Sequence, residues 1–368
     1  MIKYLYINNF RTFVNFKIEF GSLNVLLGKN GSGKSGVYTV LDMLRNFVGQ
    51  GMQTDLCFSS ASCTRWMDSN IQTFELAVDH EGKEYIYHLE IEYDEKTKAG
   101  RVYSENVKLN GNSLLENHKG FVCLYDDNYA KGNEFQVDGS FSGLRFVFQS
   151  PGNSLLSEFK LILFSIVVCS PNPYRMQGGS PTEMPLPDGF FSNVGNVFAY
   201  MQLARPDVAS KVQEYIRDIN PSFVQLRMSM EVFGRTMVAD YKFRDVEKYF
   251  HFEELSDGER VLIALAIIQF GYVKQGMPVV LDEPDNYVAL SEIKPWCMEM
   301  EKACMEGGQC ILISHHPEVM DYFAAGSGIW LKRLASGETV IEDDPFYKSD
   351  EEHFMKYSEL VAGGYDEI

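Results

Sequence analysis

Cysteine is scarce and unpatterned in this chain. The seven cysteines, at positions 57, 63, 123, 169, 297, 304 and 310, include no C-x-x-C pair. That argues against a zinc ribbon or a disulfide framework, and for a reducing cytoplasm. Long apolar runs are missing as well. The longest, Leu161 to Cys169 and Val261 to Ile268, fall well short of the roughly 18 to 20 residues that span a bilayer, so no membrane segment is expected and both read as buried core helices. Met1 to Phe10 alternates like a strand and lacks the charged-then-apolar pattern of a signal peptide. No internal repeat is visible, and no heptad run is long enough for a coiled coil. Nor is there a strong basic run. Thirty-three Lys and Arg against 51 Asp and Glu leave a formal charge of −18, which counts against broad, nonspecific affinity for nucleic acid. From Ile341 to the end, nine acidic side chains face two basic ones. Such a run reads as a solvated face, with docking of a basic partner as the alternative. With 45% hydrophobic and 23% charged residues in 368, the chain is a globular cytoplasmic protein of one large or two ordinary domains.

What is present begins with Gly28-Lys29-Asn30-Gly31-Ser32-Gly33-Lys34-Ser35, which fits G-x-x-x-x-G-K-[ST], the phosphate-binding loop of nucleotide triphosphatases. Leu23 to Leu27 reads as a buried strand feeding the loop, and Val37 to Val48 as the helix leaving it. The chemistry needs that order. Glycines at 28, 31 and 33 let backbone N–H groups curl around phosphates and tolerate positive φ. The helix N-terminus adds partial positive charge. Lys34 can reach the β- and γ-phosphates of ATP, and the Ser35 hydroxyl can ligate Mg²⁺.

Along the chain, residues 1–20 read as two strands around the turn Asn8 to Thr12. An antiparallel meander follows at Thr73–Val78, Tyr85–Tyr93, Arg101–Leu109 and Phe121–Tyr125, separated by turn signals such as Asn110-Gly111-Asn112. Residues 154–169 and 205–219 show helical periodicity, with a Pro- and Gly-rich stretch, 170–192, between them. That stretch cannot be regular helix or central strand. The expected organisation is α/β, with an N-terminal lobe at 1–151 and a helical lid insertion with a mobile loop at 152–225. A C-terminal lobe at 226–342 and an acidic segment at 343–368 complete it. Strand character returns over 223–250. Helices are expected at 257–274 and 291–305, strands at 278–282 and 309–313, and a last hairpin near 328–342.

Pro278 to Leu281 is an apolar strand ending in Asp282-Glu283. One carboxylate at such a strand end can hold the Mg²⁺ shell and a second can orient or deprotonate the attacking water, which assigns Asp282 to the metal and Glu283 to the water. Leu255-Ser256-Asp257-Gly258-Glu259 carries two readings that are compatible. Ser256 with Glu259 is a capping box opening a buried helix, and a serine beside helix N-terminal N–H groups is also a phosphate grip. Ile311-Leu312-Ile313-Ser314-His315-His316 is a further strand, ending in histidine. Val147-Phe148-Gln149-Ser150-Pro151 adds a glutamine at a strand end.

Together these marks resemble the ABC-type ATPases. Leu-Ser-x-Gly-Glu, 26 positions before the Asp-Glu pair, looks like their signature motif, which implies that Ser256, Asp257 and Gly258 bind the γ-phosphate held by the opposite subunit. His315, 33 positions past Asp282, matches the switch histidine that contacts the γ-phosphate; His316 is the less fitting neighbour. Gln149 resembles the Q-loop glutamine that touches Mg²⁺ and the water. The chain departs from transporter subunits in the 222 positions between Lys34 and Ser256 and in ending its signature with Glu259 rather than Gln. Asn8-Asn9-Phe10-Arg11-Thr12-Phe13 looks like the N-F-[RK]-x-F opening of the RecF, SMC and Rad50 group. Asp282-Glu283-Pro284-Asp285-Asn286 is similar to the D-E-P-[ED]-N form of RecF-like and OLD-like ATPases. The helical insertion with Asn220-Pro221-Ser222-Phe223 fits that group's lid, and no fused nuclease like that of the OLD proteins is evident. The resemblance implies an ABC-type head with a β meander and a helical lid, in which Arg11, Gly28, Asn30, Gly31, Ser32, Gly33, Lys34 and Ser35 contact nucleotide. It implies a homodimer formed on ATP binding that sandwiches Mg-ATP, acting in DNA maintenance or antiphage defence with a separately encoded nuclease or toxin. Direct DNA contact stays open. The alternatives are a subunit energising a membrane transporter and a nucleotide sensor restraining a partner effector.

Overall fold

The computed structural model describes residues 1–232, 234–343 and 356–362. In chain order the first elements are β1 (Ile2–Asn8), β2 (Phe16–Glu19), β3 (Leu23–Leu27), α1 (Lys34–Leu44) and α2 (Thr54–Cys57). Six strands follow: β4 (Ile71–His80), β5 (Lys83–Tyr93), β6 (Gly100–Leu109), β7 (Asn112–His118), β8 (Phe121–Tyr125) and β9 (Lys131–Gln136). Then come α3 (Ser154–Ser165), β10 (Val167–Cys169), β11 (Gly179–Ser180), α4 (Val194–Ala204) and α5 (Pro206–Ile219). The strands β12 (Phe223–Glu231), β13 (Gly234–Phe243) and β14 (Val246–His251) lead to α6 (Asp257–Gly271), β15 (Pro278–Asp282) and α7 (Leu290–Met305). The last elements are β16 (Gln309–Ile313), α8 (Pro317–Ser327), β17 (Gly328–Arg333), β18 (Thr339–Glu342) and α9 (Tyr357–Ala362).

The chain divides into two compact units. The first takes residues 1–21, 28–166 and 330–342. Its frame is an antiparallel sheet in the order β2-β1-β4-β5-β6-β7-β8-β9. The period-2 pattern sets which face is buried: on β5, Tyr85, Tyr87, Leu89, Ile91 and Tyr93 are buried while the alternate side chains are partly exposed. Tight hairpins are possible because Glu81-Gly82 and Asn110-Gly111 all adopt positive φ, the requirement of a two-residue turn matched to the strand twist. Below the sheet, Phe10, Phe47, Phe58 and Phe74 meet edge-on or tilted at 5.2 to 6.0 Å between ring centres, an arrangement favoured by the ring quadrupole.

The second unit takes residues 22–27, 167–329 and the described part of 343–368. Its parallel strands run β10-β15-β16-β3. Strands buried on both faces need continuous apolar sequence, and Val279, Val280 and Leu281 are fully buried. The helix α6 is buried from Val261 through Gly271. Register matters for the site. Asp282 lies opposite Ile313, and Ile313 lies opposite Leu26, so the carboxyl ends of β15, β16 and β3 share one edge. A separate antiparallel sheet, β11-β13-β12 with β14 on β13, completes this unit.

Two local expectations are corrected. The helical reading of 154–169 fails after Ser165: Val167–Cys169 is a parallel strand on Val279–Leu281, and Leu161 on α3 is exposed. A short buried apolar run has no periodicity to separate helix from strand, and β-branched Val167 and Val168 tip it to strand. The helix after the phosphate loop ends at Leu44, and Arg45–Gly49 widens into a π-type turn. Periodicity also missed β7, β9 and α8. Of the acidic segment 343–368, only Asp343 and 356–362 fall among the described residues. Among those residues, no helix is long and apolar enough to cross a membrane.

Candidate nucleotide site

In the first unit, the loop from Gly28 to Ser35 has the backbone that its glycines predict. Gly28, Gly31 and Gly33 adopt φ of +134°, +80° and +109°, a region costly to any side chain. A Cβ on Gly28 would sit 2.2 Å from the Leu331 carbonyl oxygen, and one on Gly36 would sit 2.6 Å from the Phe13 ring. The aromatic of the Asn8–Phe13 motif is therefore a packing wedge under the loop. The loop's C-terminal glycine, Gly33, caps α1 in left-handed geometry with no side-chain cap, and the first turn carries no acidic residue. Uncompensated helix charge is what a phosphate would satisfy. Lys34, buried to 5% exposure, donates from Nζ to the carbonyls of Gly28 at 2.6 Å and Lys29 at 2.9 Å. The Ser32 hydroxyl is buried without a hydrogen-bond partner. An orphaned polar group and a parked ammonium beside an uncapped helix end fit a polyphosphate. Asn30 and Ser35 are exposed.

One residue that motif reading did not single out holds this loop. Thr339, on β18, is buried; it donates from Oγ1 to the Ser32 carbonyl at 2.9 Å and lies 2.7 Å from the Thr12 hydroxyl. Its N–H donates to the Thr12 carbonyl at 2.9 Å. A strand more than 300 positions downstream thus staples the phosphate loop to the N-terminal turn, and no local pattern announces it. Arg11 adopts φ of +52° and lies over the Phe10 ring at 5.0 Å. Its Nη1 reaches the Thr39 hydroxyl at 3.5 Å, and Thr39 in turn donates to the Ser35 carbonyl. Arg11 therefore stands beside the first turns of α1. Gln149 sits exposed in the loop before α3.

In the second unit, Asp282 closes β15 and Glu283 leaves it with φ of +48°. The Glu283 N–H still donates to the Ile313 carbonyl at 2.8 Å, so the reversal swings the side chain away while the backbone stays on the sheet. Its Oε2 accepts from Asn286 Nδ2 at 2.9 Å, and its Oε1 lies 3.8 Å from His315 Nε2. The carboxylate and the histidine, 32 positions apart, are thereby brought together with both side chains about 40% exposed. Asp285 is different. It is buried, accepts from the Ser314 hydroxyl at 2.9 Å, and burial raises its pKa against the opposing pull of Ser314 and His316. Ser314 Oγ also accepts from the His316 N–H, and His316 Nδ1 caps α8 by accepting from Glu318 N–H at 3.3 Å. His316 is a helix cap, which leaves His315 as the histidine facing Glu283.

Ser256 caps α6. Its N–H and hydroxyl both donate to Glu259 Oε2, at 3.0 and 2.7 Å, and its Oγ accepts from the Glu259 N–H. Glu259 Oε1 accepts from the Tyr241 hydroxyl at 3.0 Å. Asp257 pairs with Arg260, whose Nη1 donates to the Pro173 carbonyl at 2.8 Å. A Cβ on Gly258 would come within 3.0 Å of the Tyr287 carbonyl, and Tyr287 packs edge-on against exposed Tyr174 at 5.8 Å. Both the capping box and the small-residue requirement at Gly258 are thus physical, and the Pro-rich stretch is fastened to the start of α6. Among the described residues, no group of three or more His, Cys, Asp and Glu side chains could hold a metal.

Residues 1–128 match the family model of the AAA ATPase domain. No curated protein matches the chain. Among solved structures, an SMC head bound to the C-winged helix domain of ScpA superposes with a TM-score of 0.57 at 16% identity, covering 93% of this chain and 97% of that one. An SMC head with an extended coiled coil bound to the C-terminal domain of ScpA, derived from Pyrococcus furiosus, gives 0.51 at 14% identity over 93% and 95%. The fold is similar to that of these SMC heads. Within that head fold, the phosphate loop, the Asp282-Glu283 strand end and the Ser256 helix start are the features that motif reading had picked out.

Proposed function

We propose that this SMC-like head binds and hydrolyses Mg-ATP as one half of a dimer that closes around two nucleotides. The observation that carries it is the Glu283–His315 pair at the end of β15, held by Asn286. It stands beside β16, whose other neighbour, β3, runs directly into the phosphate loop. In this reading Lys34 leaves the loop carbonyls for the β- and γ-phosphates, and Ser35 and Asp282 are the residues that would serve a Mg²⁺ ion, which would screen phosphate charge. Glu283 orients and deprotonates water, His315 senses the γ-phosphate, and Gln149 and Arg11 complete the shell. Ser256, Asp257 and Gly258 grip the nucleotide of the opposite head. For that, the Ser256 hydroxyl gives up its bond to Glu259 while the backbone cap remains. The 152–225 lid passes closure to a separately encoded effector, in DNA maintenance or antiphage defence in the cytoplasm.

The test is the solution mass of Glu283→Gln by light scattering, with and without Mg-ATP. Gln keeps the bond geometry but cannot take a proton, so closed dimers accumulate only with nucleotide. A variant that binds ATP yet stays monomeric would sink the sandwich and leave a nucleotide sensor.

A further inference from the structure

Away from the nucleotide residues, a groove of about 750 Å³ opens in the second unit between α5 and α7, within the size range of ligand sites. Its chemistry is uneven. Tyr215, Phe270 and half-exposed Met298 give it an apolar floor, while Glu214, Asp218 and Glu292 line it against Lys211, with Glu299 already paired to Lys274. Two acceptors on its wall are short of donors. Tyr215, only 8% exposed, has a buried hydroxyl with no hydrogen-bond partner. Pro295 lies inside α7, so it offers no N–H to the Ser291 carbonyl one turn before it, and both residues line the groove. The wall also holds a small-scale example of the chemistry it would recognise. Lys274 places its ammonium 4.8 Å from the Phe270 ring centre and 2.9 Å from Glu299 Oε2.

We propose that this groove docks an amphipathic helix of a partner protein whose one face carries both Lys or Arg and apolar side chains. The carboxylates supply charge complementarity, and the unpartnered Tyr215 hydroxyl and the Ser291 carbonyl accept from ammonium or guanidinium. The aromatic and methionine floor takes the apolar positions of an amphipathic helix laid between α5 and α7. A bare polyamine would meet the acids but leave the floor uncovered. The α5 wall lies in the 152–225 lid of the proposed function, but none of the groove residues is a nucleotide-site residue, so the docking test is independent of ATP binding and hydrolysis.

The probe is a fluorescent amphipathic helix of about four turns, with Leu and Arg on a shared face, titrated by anisotropy into the full chain at physiological salt. Reversing the exposed pair, Glu214→Lys with Asp218→Lys, should weaken binding about tenfold or more. Glu84→Lys with Glu92→Lys, on the first unit's sheet, should change it less than about twofold. Tyr215→Phe should weaken the peptide while raising the melting temperature of the free protein, because it deletes a buried orphan. Equal losses from the two charge-reversed pairs would mean attraction to net charge alone and would overturn the groove. So would spermidine competing as well as unlabelled peptide, or Tyr215→Phe leaving affinity unchanged.

Discussion

At the scale of single residues, the phosphate loop is only as well shaped as the side chains that brace it. Thr339 is the clearest case, because one hydroxyl serves both the Ser32 carbonyl and Thr12. Thr339→Val keeps the volume and leaves a buried carbonyl without its donor, a loss of about 1 to 3 kcal/mol. ATP affinity by calorimetry should fall about tenfold, and Thr339→Ser should restore most of it. Nucleotide affinity unchanged in the valine variant would show that the staple is decorative. The glycines were legible because their motif states a backbone requirement. Thr339 was not, because a hydrogen bond across the fold leaves no spacing to read.

At the scale of elements, buried polar groups fix where segments stop. Glu105, fully buried on β6, accepts from Tyr87 Oη at 2.9 Å, Gly143 N–H at 2.7 Å, Asn117 Nδ2 at 3.2 Å and the Ser142 hydroxyl. It ties the 142–146 turn, which leads toward Gln149, to the sheet. Burial is the largest influence on its pKa and raises it above the ordinary 4.5, against the pull of those donors. The contribution to stability follows from that direction. Below 4.5 both folded and unfolded states hold the proton and the contribution is intact. As pH rises, the unfolded chain releases its proton first, so stability falls until the folded group titrates and then levels. Urea midpoints measured across that range should decline with pH in the wild type. They should decline less steeply in Glu105→Gln, which has no proton to lose, although its absolute stability is lower because the amide cannot accept from every donor. Parallel slopes would assign the pH dependence elsewhere. The same scale explains the misread helix end: the Val167–Cys169 run became strand because β15 offered it a partner, which no window of local sequence contains.

For the whole molecule, the proposed closure makes a prediction about a second head. Ser256 sits at an exposed helix start, and in the proposed closure it faces the nucleotide of a second head. Ser256→Arg should abolish ATP-dependent dimerisation in the Glu283→Gln background by placing bulk and charge at the contact, while the monomer binds ATP with wild-type affinity. A double variant that still dimerises on ATP would overturn the trans contact and leave Ser256 as a helix cap only.

The sequence by itself determined the chemistry-bearing loop, the acidic strand end, the cap that opens α6 and most of the meander. Each of these is a local constraint: positive φ, a strand's period of two, or a hydroxyl three residues ahead of a glutamate. Only the tertiary structure decided the rest. It separated His315, which faces Glu283, from His316, which caps α8. It set Asn286 against Glu283, put Thr339 under Ser32, and laid α5 beside α7 to make an acidic groove. Those arrangements depend on which distant segments share a sheet edge or a helix face, and that is fixed by packing of the whole core rather than by any stretch of chain.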